Sequence, residues 1–294
     1  MNILRLTEYL SWFYKNNSLK GYSLGWRIRF LVRSIFYFKD SFRWWEYVRN
    51  QIFPLDKKLA TYCFFQSHRP FYSHQISTSQ RSQLLIDTHE FLQKKLGPAI
   101  YKQLLNANQF CIGQIHGKTC NIKINISIDT RYCREGIISL FLEYQDKTLQ
   151  ALTFSVGEKN SSYTCFIGSI QSTLKNENKE LLRMIAADLY TAHPRFILMY
   201  VVKKLCNKLN IENIEGVSNS NHIWKYFFYK SKNKLVGTDY DLFWKNIGGR
   251  KLDNGNFQIP VEICFKPLEM YRQKKRNLII KKREMLNKFE IILL

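Results

Sequence analysis

The stretch NIEGVSNSNHIWKYFFY, residues 213–229, decides how the rest of the chain is read. Ile214 and Val217 form a short β-type run reaching Asn219, after which Ile223, Trp224 and Phe227 recur at helical spacing. The pattern predicts a strand that ends in a helix. Ser218, Asn219 and Asn221 stand at the junction, where side-chain oxygens cap the free N–H groups of a first helical turn. Tyr226 lies two helical turns beyond Asn219, so an amide at a strand end and a phenol on a helix are expected to line one cleft.

The text before this anchor is helical. Lys179 to Tyr190 places Leu181, Leu182, Ile185 and Leu189 on one stripe, and after His193-Pro194-Arg195 a second helix is expected from Phe196 to Leu209. Further upstream the period changes to two. Residues 110–114, NIKINISI at 121–128, the pair IISLFLEY (137–144) and LQALTFSV (149–156) around a turn, and YTCFIGSIQ (163–171) read as successive antiparallel strands. Gly168 sits near the end of the last, where a backbone would approach a ligand closely. A helix from Ser79 to Leu96, stopped by Gly97-Pro98, precedes the strands, with His89 expected as a satisfied core histidine. Downstream come Tyr240 to Trp244, a strand-like run from Phe257 to Ile263, and a basic helix from Met270 to Leu294. The order predicts an α+β fold: a mixed, mostly antiparallel sheet flanked by helices, with an N-terminal helical region. Three parts are expected: residues 1–75, basic, aromatic and helical; residues 76–265, the α/β core; residues 266–294, the basic C-terminal helix.

With 294 residues, 45% of them hydrophobic, the chain buries a substantial core. Its formal charge of +22 is concentrated at the ends: eleven Lys or Arg against four Asp or Glu from Met1 to Lys58, nine against three from Lys266 to Leu294. Such a field favours polyanions, namely nucleic acid, anionic lipid or phosphorylated glycolipid, or it is a lysine-rich solvated surface. Between Met1 and Gln51, aromatic rings alternate with arginines at helical spacing, which predicts two or three amphipathic helices. Two uses fit them: a membrane-surface segment with rings at headgroup depth, or rings packed on the main domain. The Pro-broken stretch from Lys57 to Phe71, with His68 and Arg69, reads as a linker or hinge.

Seven cysteines without a CxxC pair read as buried thiols of a reducing compartment, and six scattered histidines give no zinc pattern, so no metal is expected. No apolar run reaches the roughly 18 to 20 residues of a membrane span. Arg5, Glu8 and Lys15 break up any secretory signal, so a cytoplasmic location is expected, with peripheral contact to the inner membrane.

GVSNSNHIWKY, the downstream YDLFWKNIGG, the strand end IGSIQ, the upstream AHPRFILM, and a late IP before a KKR tail together resemble the VirK/YbjX family of Gram-negative bacteria, from about Lys57 to Arg283. That resemblance implies an envelope setting, virulence, and resistance to cationic antimicrobial peptides. Two loops depart from the family pattern: Arg134-Glu135-Gly136 runs straight into Ile137, and AHPRF replaces a Gly-containing loop. A more distant resemblance, carried by the strand end at Asn219 and the helix position of Tyr226, is to GNAT-type N-acyltransferases. It implies acyl transfer, and with the envelope setting an acyl or aminoacyl group moved onto lipopolysaccharide core or lipid A is expected. Those enzymes cradle the pyrophosphate of acyl-CoA on a Gly-rich loop, whereas Ser172 to Asn178 contains no glycine. Acyl carrier protein or aminoacyl-tRNA is therefore the expected donor, and the alternative is a non-catalytic, membrane-associated binding protein on a degenerate transferase fold.

In the transferase reading Tyr226 is the acid, Asn219 orients a hydrogen bond, and His222 or Glu135 is the base, with Gln171 and Ser218 lining the cleft. His193 and Arg195 either bind a donor phosphate or form a rigid helix entry. Tyr240, Asp241 and Trp244 either stack on a sugar or base or pack against the sheet edge.

Overall fold

The computed structural model describes residues 3–15, 24–106, 109–128, 132–159, 161–172, 179–225 and 238–292. Tyr226 and residues 173–178 lie outside these. At the centre is an eight-stranded mixed sheet in the order β1-β2-β3-β4-β5-β6-β8-β7. Its strands are β1 (Phe110–His116), β2 (Asn121–Ile128), β3 (Ile138–Tyr144), β4 (Lys147–Lys159), β5 (Ser162–Ser172), β6 (Asn213–Gly216), β7 (Arg250–Lys251) and β8 (Phe257–Ile259). The fold is α+β, as the alternation of side chains predicted.

The β1 to β5 meander follows from period-two sequences joined by short turns; Gln145 and Asp146, both at positive φ, close the β3–β4 hairpin. Among the described strands only β5 and β6 are paired in parallel. A parallel neighbour needs a crossover, supplied here by α6 (Lys179–Asp188) and α7 (Pro194–Leu209). Helix α7 covers one face: Val202, Leu205, Cys206 and Leu209 line a small apolar cavity together with Ile126, Ile138 and Phe154.

The opposite face is unusually polar. Cross-strand pairing places Ser127 beside Ser139, Ser139 beside Thr153, and Thr153 beside Ser169, a row of hydroxyls across four strands. All four are buried. Ser139 and Thr153 bond at 3.2 Å, and Ser169 donates to Glu135 at 3.2 Å. Most buried hydroxyls in folded proteins have such partners.

Helices α1 (Ile3–Lys15), α2 (Leu24–Phe36) and α3 (Phe38–Tyr47) form where the aromatic-basic periodicity predicted them. Tyr9, Phe30, Phe42, Trp45, Phe64 and Phe65 build a second aromatic core, while Trp44 enters the main core and donates its indole N–H to the Cys63 carbonyl at 2.8 Å. The stretch read as a linker is instead structured and buried. It holds α4 (Lys57–Cys63), and His68, Phe71 and Tyr72 are nearly inaccessible. The reason is composition: Pro54 and Pro70 punctuate the chain, but Cys63, Phe64, Phe65 and Phe71 carry too much apolar surface to remain in water.

Helix α5 (Thr78–Asn106) extends beyond the expected stop, since a second helix begins directly behind the break at Gly97 (φ 77°) and Pro98. His89 is buried against Tyr101, its Nδ1 2.9 Å from the phenol. The basic tail forms α9 (Gln273–Asn287), but the chain after it docks: Phe289 and Ile291 are buried, and Lys204 and Lys208 hold their carbonyls at 2.6 and 2.8 Å.

Candidate functional site

The parallel strands part company at their carboxyl ends. Val217 N–H still donates to the Ile167 carbonyl at 3.0 Å, but β6 stops at Gly216 while β5 continues to Ser172. In open sheets the crevice beyond diverging strand ends is where ligands collect. Thr238 reaches this edge, its hydroxyl donating to the Ile170 carbonyl at 3.3 Å, and α8 (Tyr240–Asn246) follows directly.

Glu135 stands at the centre. The β4–β5 register slips where Thr153 pairs Ser169 and Phe154 pairs Ile167, leaving Gly168 as the extra residue of a bulge. A Cβ on Gly168 would overlap the Glu135 carbonyl oxygen, so glycine is required for one backbone to cross the other rather than for a ligand's approach. This close crossing delivers the Glu135 carboxyl to donors from two further segments: Trp224 Nε1 to Oε1 at 3.0 Å, and Ser169 Oγ and Gln171 Nε2 to Oε2 at 3.2 and 3.3 Å. Burial pushes the carboxyl up to about 7, against the opposing pull of those donors and of Arg134. Burial thus moves its titration from the ordinary carboxylate range toward neutral pH. Gln171, Trp224 and Arg134 are half-buried, and Arg134 lies over the Trp224 ring at 5.7 Å, so the cluster reaches the surface beneath a cation.

His222 is buried and stacked on Tyr240, ring centroids 5.1 Å apart. Its Nδ1 accepts the Trp224 N–H at 3.4 Å. Desolvation lowers the imidazole to about 4, leaving it neutral at pH 7 and a weak proton acceptor. Of the two candidate bases, Glu135 has the better-matched affinity for a proton. Burial and the neighbouring Glu135 raise the Tyr240 phenol, and Tyr240 is sealed, so it cannot stack on a ligand.

The junction after β6 differs from the expected helix cap. The described part of the following segment is one 3₁₀ turn, Ile223–Lys225. Asn219 turns away from it: Oδ1 accepts the Tyr240 N–H at 2.8 Å and Nδ2 donates to Asp239 at 2.7 Å. The Asn219 N–H donates to Asp241 at 2.7 Å. Asn219 and Asp241 thus brace the start of α8 against the strand end, with Asn219 satisfying the N–H of that helix's first residue. Ser218 is buried and accepts the Asn221 N–H at 3.2 Å, so it closes a turn rather than lining an opening.

Trp244 is a packing residue. Its ring lies where a Cβ on Gly216 would stand, and its N–H donates to the Val217 carbonyl at 2.8 Å. His193 caps α7, its Nδ1 accepting the Arg195 N–H at 3.3 Å, which leaves that nitrogen unable to contact an anion. Arg195 is half-buried, and its charge acts on the Tyr240 phenol. The fold therefore assembles Glu135, Gly168, Gln171, His222 and Tyr240, adds Ser169 and Trp224, and assigns Asn219, Ser218, Asp241, Trp244 and His193 to bracing and capping.

Sequence reasoning passed over a second buried carboxylate, Glu215 on β6. Its Oε1 accepts from Tyr72, Asn254 and Asn256 at 3.1, 3.1 and 2.8 Å, and Lys159 sits 3.3 Å from Oε2. The available signal was a charged residue inside an otherwise apolar strand, NIEGV. Among the described residues no three His, Cys, Asp or Glu side chains converge as metal ligands. No described helix is long and apolar enough to cross a membrane.

Residues 21–291 match the family described as "Protein of unknown function (DUF535)". The chain belongs to that family. An Escherichia coli K12 relative, "Uncharacterized protein YbjX", is 24% identical over 272 residues, covering 89% of this chain and 80% of the relative. An "Uncharacterized protein" of Haemophilus influenzae is 25% identical over 222 residues, covering 75% and 72%. The DUF535 membership agrees with the VirK/YbjX resemblance seen in the motifs. No solved structure matches the chain.

Proposed function

We propose that this DUF535 protein transfers an acyl or aminoacyl group onto an envelope glycolipid, lipopolysaccharide core or lipid A, and thereby contributes to antimicrobial peptide resistance and virulence. The observation that carries the proposal is Glu135: a buried carboxyl raised to about 7 by desolvation, at the parting of two parallel strands, bonded to half-buried Gln171 and Trp224. In the reaction the ionised carboxyl takes a proton from an acceptor amine or hydroxyl as that atom bonds to the donor's carbonyl carbon. The donor's thiolate or alkoxide leaves, taking a proton from a general acid; that role falls to Tyr226, outside the described residues. Arg134, over the Trp224 ring, and Arg195, whose charge bears on Tyr240, bring positive charge to the cluster, which suits an anionic donor such as aminoacyl-tRNA, acyl carrier protein or acyl-CoA.

Helix α2 supports a place at the inner-membrane surface. Phe30 and Ser34 face inward, and Arg33 donates to the His68 carbonyl at 2.7 Å. Leu24, Ile28, Val32 and Ile35, at helical spacing, are exposed, and Arg29 is exposed beside them. An apolar stripe with arginine at its flank matches an anionic bilayer surface.

A second reading is favoured by the bracing of Asn219 and the burial of His222: a membrane-associated binding protein that has lost the reaction. Mass spectrometry of envelope lipids separates the two. Cells lacking the protein, cells with the wild type and cells with a folded Glu135→Gln variant are compared. A fixed added mass seen only with the wild type is expected; identical lipids in all three, with intact peptide resistance in the variant, would refute the transferase.

A further inference from the structure

On the hydroxyl face of the sheet lies an open cleft of about 570 Å³ whose lining does not include Glu135. One wall is a single side of α5, where Ser79, Gln80, Gln83 and Asp87 recur at helical spacing. The other wall is the end of β4 with the loop that carries Asn254 and Asn256, and half-buried Phe166 lies between them. Its size falls within the range of small-molecule sites, about 300 to 1,000 Å³. Gly157 keeps the floor open on the β4 side, since a Cβ there would run into Leu84 and Phe166.

The cleft's charge is opposite to that of the chain. Among the described residues Asp87, Glu158 and Glu215 line it against one cation, Lys159, in a protein of formal charge +22. Lys159 is engaged with Glu215, which also takes Tyr72, Asn254 and Asn256, so that carboxylate is satisfied within the wall. Asp87 is bonded to Gln83 and to the Glu158 N–H, and neither Asp87 nor Glu158 forms an ion pair among the described residues. Arg43 is the cation whose charge bears on Asp87 from the adjoining helix.

We infer that this cleft binds a small polar molecule bearing an ammonium group, with the ammonium between Asp87 and Glu158, the Phe166 ring beneath it, and the carboxamides of Gln83, Asn221 and Asn254 reading its polar substituents. Carboxylates and an aromatic face both attract an organic cation. Elsewhere the excess of lysine and arginine repels such a ligand, so local chemistry selects this cleft; at physiological salt the repulsion is screened within about 8 Å. The inference stands apart from the Glu135 reading and does not depend on a transferase.

The experiment is calorimetric titration of the full chain with two matched pairs, glucosamine against glucose and putrescine against 1,4-butanediol. One-site binding of at least one amine is expected, with its neutral counterpart at least about tenfold weaker, the worth of one charge-assisted contact. Asp87→Asn with Glu158→Gln should weaken the amine by about tenfold or more. Glu158→Gln alone, at an exposed side chain, should give a smaller loss with stability close to that of the wild type. Equal binding of amine and neutral partner, amine binding unchanged by the substitutions, or no heat from either amine at millimolar concentration would each overturn the inference.

Discussion

Replacing Glu135 by glutamine tests the electrostatics of the site without knowledge of its substrate. The carboxyl goes from an ordinary value of 4.5 in the unfolded chain to about 7 in the fold. Over that interval the native state holds a proton that the unfolded state has released, so stability falls as pH rises. The contribution is fully present below about 4.5 and is lost as pH passes through about 7. Integrated between about pH 5 and about pH 8, the shift is worth about 2 to 3 kcal/mol. The carboxamide of the Glu135→Gln variant does not titrate. Wild-type stability should therefore drop relative to the variant by that amount across the window, whatever constant offset the altered hydrogen bonds introduce. Buried His68, His89 and His222, lowered to about 3, 3 and 4, pull the other way: each favours the fold as pH rises toward the ordinary value of 6.5. They are common to both proteins and cancel in the difference. Urea unfolding of both chains at four pH values, analysed at equal denaturant slope, gives that difference directly. A wild-type-minus-variant gap that stays flat with pH would refute a raised Glu135 and remove the base from the proposed reaction.

Gly168→Ala forces a methyl into the Glu135 backbone and should destabilise the protein by about 3 kcal/mol, seen as a lowered Tm; an unchanged Tm would mean the two segments do not cross at the bulge. Asp188 accepts from Thr119 N, Thr119 Oγ1 and Cys120 N at 3.0, 2.7 and 3.1 Å, tying α6 to the β1–β2 turn. Asp188→Ala should cost about 2 kcal/mol in urea unfolding, with faster amide exchange confined to that turn. Ile28→Glu, on the exposed stripe of α2, should leave stability within about 0.5 kcal/mol while reducing sedimentation with anionic vesicles. Vesicle binding that is equal for both chains would assign the stripe another use.

The strands were legible because their information is local. NIKINISI alternates, IISLFLEY and LQALTFSV flank a turn with two left-handed residues, and observed β2, β3 and β4 overlap the expected runs. The linker expectation at Lys57 to Phe71 failed for the same reason. Local signals register proline and polar residues, whereas burial of Phe64, Phe65 and Phe71 depends on α1 and α2 folding back upon them. His89 was legible as a core histidine from its helix face, but its partner Tyr101 lies past a helix break and was not.

By itself the sequence determined the fold class, the strand-helix order, the charge of its ends and, through spaced motifs, the family. Tertiary structure alone decided which polar residues meet. Glu135 owes its raised proton affinity to burial at the Gly168 bulge, against the pull of an indole 89 positions away. Asn219, conspicuous at a strand end, is spent on the start of α8. Glu215 acquires its partners from β4, β6's own neighbours and the Tyr72 loop. Side-chain periodicity is written between near neighbours, while desolvation and hydrogen-bond capture depend on which distant segments crowd the same few ångströms.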